Sequence, residues 1–434
     1  MNTFRINPRE EGGSAAITLA RTVWSEMAKA ETQNPTLPDL FELREYTMQP
    51  EKIDESFSAF ERLRQLLHGV MPGAYPTRLD LGEPQQQLPP FIQAALCQHS
   101  HLLAKYPDNY GSDNLLHAIC DWIARRYEVR LSEENLLVLN GSREGLFTAM
   151  LALCKGGHGS RVLMPNPAYQ AYRAAALIIN AEPVPVPADP ASGYMPDYGA
   201  LPDRILNSVE AVYICSPSNP QGGVASAEYL LELLALAERY DFRIFADECY
   251  SELYAGEPPA GYLGLVSGTQ YNPERIVVFN SLSKRSGLPG LRSGFAAGGV
   301  QSIRRMRNLR AKGGAPVPGV LQEISALAWA DEAHVIKARQ ECQEKYALVA
   351  SVLGDVSNFV IPRAGLFTWL NVGDGVATAT ELWRQSGIRV LPGEYLAQTV
   401  DGRNPGHEFI RIALVPEICV LEQALHKIRN VLCL

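Results

Sequence analysis

Between positions 136 and 298 the chain repeats one pattern, a short run of apolar residues followed by a stretch with helical periodicity. The apolar runs are 136–139 (L-L-V-L), 161–164, 209–215 (V-E-A-V-Y-I-C), 243–246, 275–279 and 294–298. Helix-like segments fall near 144–154, 169–179 and 226–240, the last opening on Ser226 as an N-cap. Strands that are apolar throughout have both faces covered, and strands separated by helices pair in parallel. The pattern predicts an α/β chain on a mainly parallel sheet. Ligands of such sheets bind beyond the carboxyl ends of the strands, so the residues after each run are the candidates for chemistry.

A chain of 434 residues has room for two to three domains. Residues 1–54 are polar and broken by Pro35, Pro38 and Pro50, and read as an N-terminal extension or arm. Residues 55–105 read as arm and part of a small domain, opening with an amphipathic helix over 55–70. Residues 106–315 form the large domain. Residues 316–434 form a smaller α+β domain, with a long helical stretch (320–353), strand-like 366–371, 388–391 and 409–414, and a last helix near 419–432.

Lys plus Arg total 39 and Asp plus Glu total 47, a net charge of −8. That balance excludes a global basic footprint for nucleic acid or anionic membrane. The local cluster Arg304, Arg305, Arg307 and Arg310 reads as a solvated helix face. Eight cysteines without C-x-x-C spacing, most of them among apolar neighbours, read as buried free thiols in a reducing compartment. The start lacks a signal-peptide core and no run of about 18 apolar residues occurs. A cytoplasmic chain with no membrane span is expected. The eight histidines show no metal-ligand spacing, so no protein-built metal site is expected.

Four strand ends carry distinctive residues. After 136–139 comes Asn140-Gly141-Ser142-Arg143-Glu144-Gly145, a glycine turn feeding a helix N-terminus, where free N–H groups suit a phosphate. After 209–215 comes Ser216-Pro217-Ser218-Asn219-Pro220-Gln221-Gly222-Gly223, which holds Asn219 stiffly near the sheet. After 243–246 comes Asp247-Glu248-Cys249-Tyr250. A carboxylate there is costly without a partner, so it is either salt-bridged or waiting for a ligand cation. After 275–279 comes Asn280-Ser281-Leu282-Ser283-Lys284, with Arg292 eight residues on. A desolvated lysine shifts its pKa readily and is a candidate nucleophilic amine. A phosphate cradle, an isolated carboxylate, an imine-forming amine and a second phosphate-binding cation together suit pyridoxal 5'-phosphate.

The strings S-P-S-N-P-Q-G-G, A-D-E-C-Y and S-L-S-K-R-S-G-L-P-G-L-R-S-G resemble the fold-type-I, class I/II pyridoxal-phosphate aminotransferases over residues 55–434. L-N-G-S-R-E-G-L-F, P-N-P-A-Y-Q-A-Y and V-L-P-G-E-Y-L-A are closest to the bacterial N-succinyl-diaminopimelate aminotransferase subgroup. The resemblance implies a seven-stranded sheet in the large domain and a homodimer with shared active sites. It implies that Lys284 carries the cofactor as a Schiff base and later moves the substrate proton. It implies that Asp247 pairs with the ring nitrogen, since an adjacent anion keeps a pyridinium protonated. Asn219 and Tyr250 would bond the ring's phenolic oxygen, with Asn219 also at the substrate side, and Tyr169 would stack on the ring. Ser142 and Arg143 would offer backbone N–H groups to the phosphate, completed by Ser281 and Arg292. Tyr106 resembles the tyrosine that reaches the neighbouring subunit's phosphate. Gly82 resembles the arm residue lining the substrate site, and Arg411 the bidentate clamp on the substrate α-carboxylate.

The activity so implied moves an amino group from an amino acid, glutamate first among donors, to a keto or semialdehyde acceptor. N-succinyl-2-amino-6-oxopimelate, in lysine and diaminopimelate biosynthesis, is the leading acceptor. The alternatives are the same fold and cofactor running a lyase, oxidase, hydroxylase or cyclase reaction, or a non-catalytic binding module. Three features depart from the subgroup: the long segment before the body, 308–319 (N-L-R-A-K-G-G-A-P-V-P-G) and Ala168. The resemblance implies that these positions border the distal substrate pocket, as in related enzymes, where Arg310 and Lys312 are candidate contacts for a distal carboxylate.

Overall fold

The computed structural model describes residues 58–433, so the expected extension over 1–54 lies outside the described residues. In chain order the strands are β1 (Thr77–Arg78), β2 (Leu136–Leu139), β3 (Arg161–Asn166), β4 (Glu182–Pro187), β5 (Val209–Cys215), β6 (Arg243–Asp247), β7 (Ile276–Ser281) and β8 (Gly294–Gly298). They continue with β9 (Phe367–Asn371), β10 (Ile388–Arg389), β11 (Leu391–Pro392) and β12 (Phe409–Ala413).

Seven strands form one sheet in the order β2-β8-β7-β6-β5-β3-β4. Every pairing is parallel except those of β8, which runs antiparallel to both β2 and β7. Alternate side chains of a strand face opposite ways, and both faces are filled. Val212, Ile214, Ile244, Ala246 and Val278 pack on one side with Trp122 and Trp329. Ala211, Tyr213, Phe245, Val277 and Phe279 pack on the other with Leu146 and Met150. Each such side chain contributes about 1.5–3 kcal/mol when fully buried, which is why unbroken apolar runs become central strands. Strand β4 (E-P-V-P-V-P) is not among the expected strands, because its prolines cannot donate to a ladder. It sits at the sheet edge, where that is tolerated.

The C-terminal sheet has the order β11-β12-β9, all antiparallel. Residues 388–391, expected as one strand, divide between two sheets: β10 pairs with β1, and β11 with β12. This brings the segment around 77–80 into the C-terminal region, where the Ala413 N–H donates to the Leu79 carbonyl at 2.8 Å. The helical stretch expected over 320–353 is two helices, Gly319–Ala330 and Ala333–Leu353. The first joins the core of the large sheet through Val320, Ile324 and Trp329, and the second joins the C-terminal core. The two cores therefore meet between these two helices.

Two further expectations are corrected. In the arginine cluster, Arg304 and Arg305 are exposed but Arg310 is only 4% exposed. Arg310 pairs with Glu144 at 2.8 Å and donates to the Val138 carbonyl at 2.6 Å, while Arg307 donates to the Leu136 carbonyl at 2.9 Å. The face clips its helix to β2. Among the cysteines, Cys215, Cys249 and Cys342 are buried, whereas Cys97, Cys419 and Cys433 are exposed. Among the described residues no helix is long and apolar enough to cross a membrane.

Candidate active site

A cavity of about 1000 Å³ opens over the carboxyl ends of β5, β6 and β7. Gly82, Ser142, Arg143, Tyr169, Asn219, Asp247, Tyr250, Ser281, Lys284, Arg292 and Arg411 all line it. Parallel pairing places the ends of β5, β6 and β7 side by side, so Asn219 in the loop after β5, Asp247 at the end of β6 and Lys284 in the helical turn after β7 reach one wall. Arg411 arrives from β12 in the C-terminal sheet, and Gly82 from the segment following β1.

Asp247 is buried, and its partners are the Tyr172 hydroxyl, donating at 2.8 Å, and the Cys249 N–H at 3.3 Å. No cation among the described residues forms a salt bridge with it, and burial pushes its carboxyl up from the usual range. Tyr172 itself is stacked on Tyr213, with ring centroids 4.4 Å apart. Burial pushes the hydroxyls of Tyr172 and Tyr250 well up, so both stay protonated. Lys284 donates from Nζ to the Gly82 carbonyl. Burial lowers its pKa to about 8, so a useful fraction is the free amine near neutrality.

At the other end of the wall, the helix Ser142–Leu153 begins after Gly141, whose φ is 80°. A Cβ on Gly141 would run into the Arg292 guanidinium, so glycine is what lets that cation approach the helix N-terminus. Arg292 donates to the carbonyls of Asn140 at 3.0 Å and Pro289 at 2.9 Å. A Cβ on Gly294 would lie 3.2 Å from Ser281 Cβ and 3.3 Å from the Ser142 nitrogen, so the two serines meet at this point. Backbone N–H groups, a hydroxyl and a guanidinium converge as an anion cradle.

Arg411 is buried, and no carboxylate among the described residues forms an ion pair with it. Nη1 donates to Asn219 Oδ1 at 3.0 Å, Nη2 donates to the Asp80 carbonyl at 2.6 Å, and Nε is buried without a partner. Its guanidinium carbon lies 4.2 Å from the Phe367 ring centroid. Burial lowers its pKa to about 10, which leaves it cationic at neutral pH. A buried, oriented cation of this kind is complementary to a ligand carboxylate.

Tyr106 lies outside the cavity and is fully exposed. Arg310 and Lys312 do not line it either. Arg310 is engaged by Glu144 and Val138 on the far side of β2, and Lys312 is exposed. Ala168 does line it, with its N–H donating to the Leu396 carbonyl at 3.1 Å. Sequence reasoning missed Tyr172. Its signal was available as the second tyrosine of A-Y-Q-A-Y, three residues after Tyr169 and so on the same helical face.

The residues present fit pyridoxal phosphate. A buried carboxylate lacks a cation, a desolvated amine lacks a counter-ion, and an anion cradle sits on the same wall. Comparison with known proteins agrees. The profile of the family "Aminotransferase class I and II" matches residues 76–428. The LL-diaminopimelate aminotransferase of Dehalococcoides mccartyi is 28% identical over 361 residues, covering 81% of this chain and 89% of that protein. An aminotransferase from Neisseria meningitidis superposes with a TM-score of 0.84 at 34% identity, covering 88% of this chain and 100% of that one. A structure from Thermus thermophilus, described as a probable N-succinyldiaminopimelate aminotransferase, superposes with a TM-score of 0.76 at 25% identity, over 86% of this chain and 100% of that one. The chain belongs to the class I and II aminotransferases, the pyridoxal-phosphate-dependent enzymes that transfer amino groups.

Proposed function

We propose that the enzyme moves an amino group between glutamate and a keto acid of the diaminopimelate branch, with N-succinyl-2-amino-6-oxopimelate as acceptor. The observation that carries the chemistry is the placing of Lys284, Asp247 and Arg411 on one cavity, the lysine half-buried and the other two buried, with none of them in an ion pair among the described residues. The names of the relatives support the branch, and the Thermus neighbour supports the succinylated form.

In this reading the N–H groups of Ser142 and Arg143, with Ser281 and Arg292, would hold the cofactor phosphate. Asp247, itself hydrogen-bonded by Tyr172, would keep the ring nitrogen protonated. Tyr169 would stack on the ring, and Tyr250 and Asn219 would bond its phenolic oxygen. When bound, the cofactor supplies an electron sink for the charge left when the substrate loses its α-proton. Arg411 grips the α-carboxylate through its planar fork and orients the Cα–H bond. Lys284 Nζ would take that proton and return it on the far side of the amino nitrogen, two atoms along. Both half-reactions use the same residues, so ping-pong kinetics are expected. Tyr106 is assigned to the partner subunit's phosphate in a homodimer, and light scattering tests that assembly.

The substrate test runs the reaction backwards. Holoenzyme and 2-oxoglutarate receive N-succinyl-LL-diaminopimelate or LL-diaminopimelate, and glutamate is measured. Glutamate from the succinylated donor supports the reading. Glutamate from LL-diaminopimelate alone favours the activity named for the Dehalococcoides relative. Glutamate from neither removes the branch. Keto acid and ammonia released without any acceptor would point to a lyase instead.

A further inference from the structure

Glu144 is the third residue of the helix Ser142–Leu153 and the acid of its first turn. The same helix N-terminus forms the anion cradle, and a carboxylate within one turn of a bound phosphate repels it. Neither Glu144 nor Arg310 lines the cavity. Arg310 comes from the helix Val300–Gly313, is buried, and donates from Nε to Glu144 Oε1 at 2.8 Å. The acid's charge is therefore met on the protein side of the turn.

The pair also fixes the turn itself. Glu144 Oε2 accepts the Asn140 N–H at 2.8 Å, the Asn140 carbonyl accepts Arg292 at 3.0 Å, and the Asn140 side-chain amide donates to the Ala315 carbonyl. Two of these three anchors are held in turn by Arg310, through Nε on Glu144 and through Nη2 on the Ala315 carbonyl at 3.0 Å. Nη1 donates to the Val138 carbonyl at 2.6 Å, which ties the guanidinium to the end of β2. A planar group with five donors serves all of these at once, and an ammonium cannot.

We propose that Arg310 is a positioning residue for the cofactor phosphate. It neutralises Glu144 and, through Glu144 and Ala315, holds Asn140-Gly141-Ser142 in the shape that presents N–H groups to the anion. The inference rests on the pyridoxal-phosphate reading of the cavity and deepens it, tracing phosphate recognition to a side chain outside the cavity. Loss of Arg310 has two separable consequences: the turn loosens, and a carboxylate is left uncompensated beside the phosphate.

The test titrates the fluorescence of apoenzyme with pyridoxal 5'-phosphate and with pyridoxal, which has the same ring and aldehyde but no phosphate. It compares wild type, Arg310→Met, Arg310→Lys and the double variant Arg310→Met/Glu144→Gln. Arg310→Met should weaken pyridoxal phosphate by about 10- to 100-fold and pyridoxal by less than about twofold. The double variant keeps an acceptor for the Asn140 N–H but not the stranded charge, and should recover part of the loss. Arg310→Lys keeps the charge without the fork and should fall between wild type and Arg310→Met. If Arg310→Met does not fold, as read from its urea midpoint, Arg310→Lys carries the same contrast between the two ligands. Equal weakening of pyridoxal, unchanged affinity for pyridoxal phosphate, or a double variant no tighter than Arg310→Met each overturns the role of Arg310. Wild-type apoenzyme that binds pyridoxal as tightly as pyridoxal phosphate overturns the cradle, and this inference with it.

Discussion

Asp247 and Glu252 are two acids five residues apart, both buried, and they meet opposite fates. Glu252 receives Arg126 at 2.8 Å and Arg339 at 2.9 Å. Asp247 receives a hydroxyl and a backbone N–H and no cation. Their neighbours Lys284 and Arg285 repeat the contrast. Arg285 is fully buried but paired, donating to the Ala328 carbonyl at 2.7 Å and to Glu332 at 2.8 Å, with the rings of Trp329 and Trp122 at 5.0 and 5.7 Å and only Nε left without a partner. Lys284 has one carbonyl. Burying a charge is expensive unless it is paired. The paired cluster holds the fold together, and the unpaired one identifies where a ligand supplies the missing charges.

The sharpest break of this comparison is at position 284. Lys284→Ala should remove the visible absorption band of the lysine-linked cofactor and lower turnover by about a thousandfold or more. Its neighbour supplies no replacement, because Arg285 points into the core. Activity surviving in spectroscopically clean Lys284→Ala enzyme would end the mechanism.

The acids come next and should trade places. Asp247→Asn should lower kcat by about 100-fold or more while leaving the urea midpoint of the apoenzyme unchanged or raised, since an uncompensated charge is removed. Glu252→Gln strands Arg126 and Arg339 and should cost about 3–5 kcal/mol of stability, with kcat of the folded fraction near wild type. If Glu252→Gln were the more damaging to kcat, the division between structural and functional charges would be wrong.

The third effect is one of pH. Below about 8, Lys284 Nζ is mostly protonated and cannot attack an aldehyde, and above it the free amine dominates. The rate at which apoenzyme captures pyridoxal phosphate should therefore climb with pH and level off near 8. The linkage sign agrees. Between about 8 and the ordinary lysine value, the unfolded chain holds a proton that the folded chain has released, so this group makes apoenzyme stability rise with pH across that interval. A capture rate still climbing tenfold per unit at pH 9.5 would show an unperturbed lysine.

The smallest effect is expected at Tyr172. Tyr172→Phe leaves the ring stacked on Tyr213 and removes one hydrogen bond from Asp247, worth about 1.5–3 kcal/mol for a charged acceptor. About a tenfold loss of kcat with a shifted pH profile is expected, because Tyr172 acts through Asp247. A fall in kcat with an unmoved profile would make it merely structural.

Much of the site was legible in the sequence because parallel strands obey a positional rule. Apolar runs mark the strands, their carboxyl ends lie side by side, and the residues after them must share a surface. Asn219, Asp247, Ser281 and Lys284 follow from that alone. Arg411 was reached only through family resemblance, because nothing in F-I-R-I-A-L says that β12 sets its arginine against Asn219, beyond the end of β5. Arg310 went wrong for a related reason. Helical spacing places it on a face but does not reveal that Glu144 and the Val138 carbonyl occupy that face.

Local pattern therefore determined the sheet, the strand ends and the chemical types gathered there, since these depend on burial period and turn geometry within a few residues. Tertiary structure decided which charges are spent. It paired Glu252 and Arg310, left Asp247, Lys284 and Arg411 without salt-bridge partners among the described residues, set Tyr172 behind Asp247 and brought Arg143 to the cavity wall. Pairing depends on distances between residues far apart in the chain, and those distances exist only once the sheet and its C-terminal neighbour have closed around the same space.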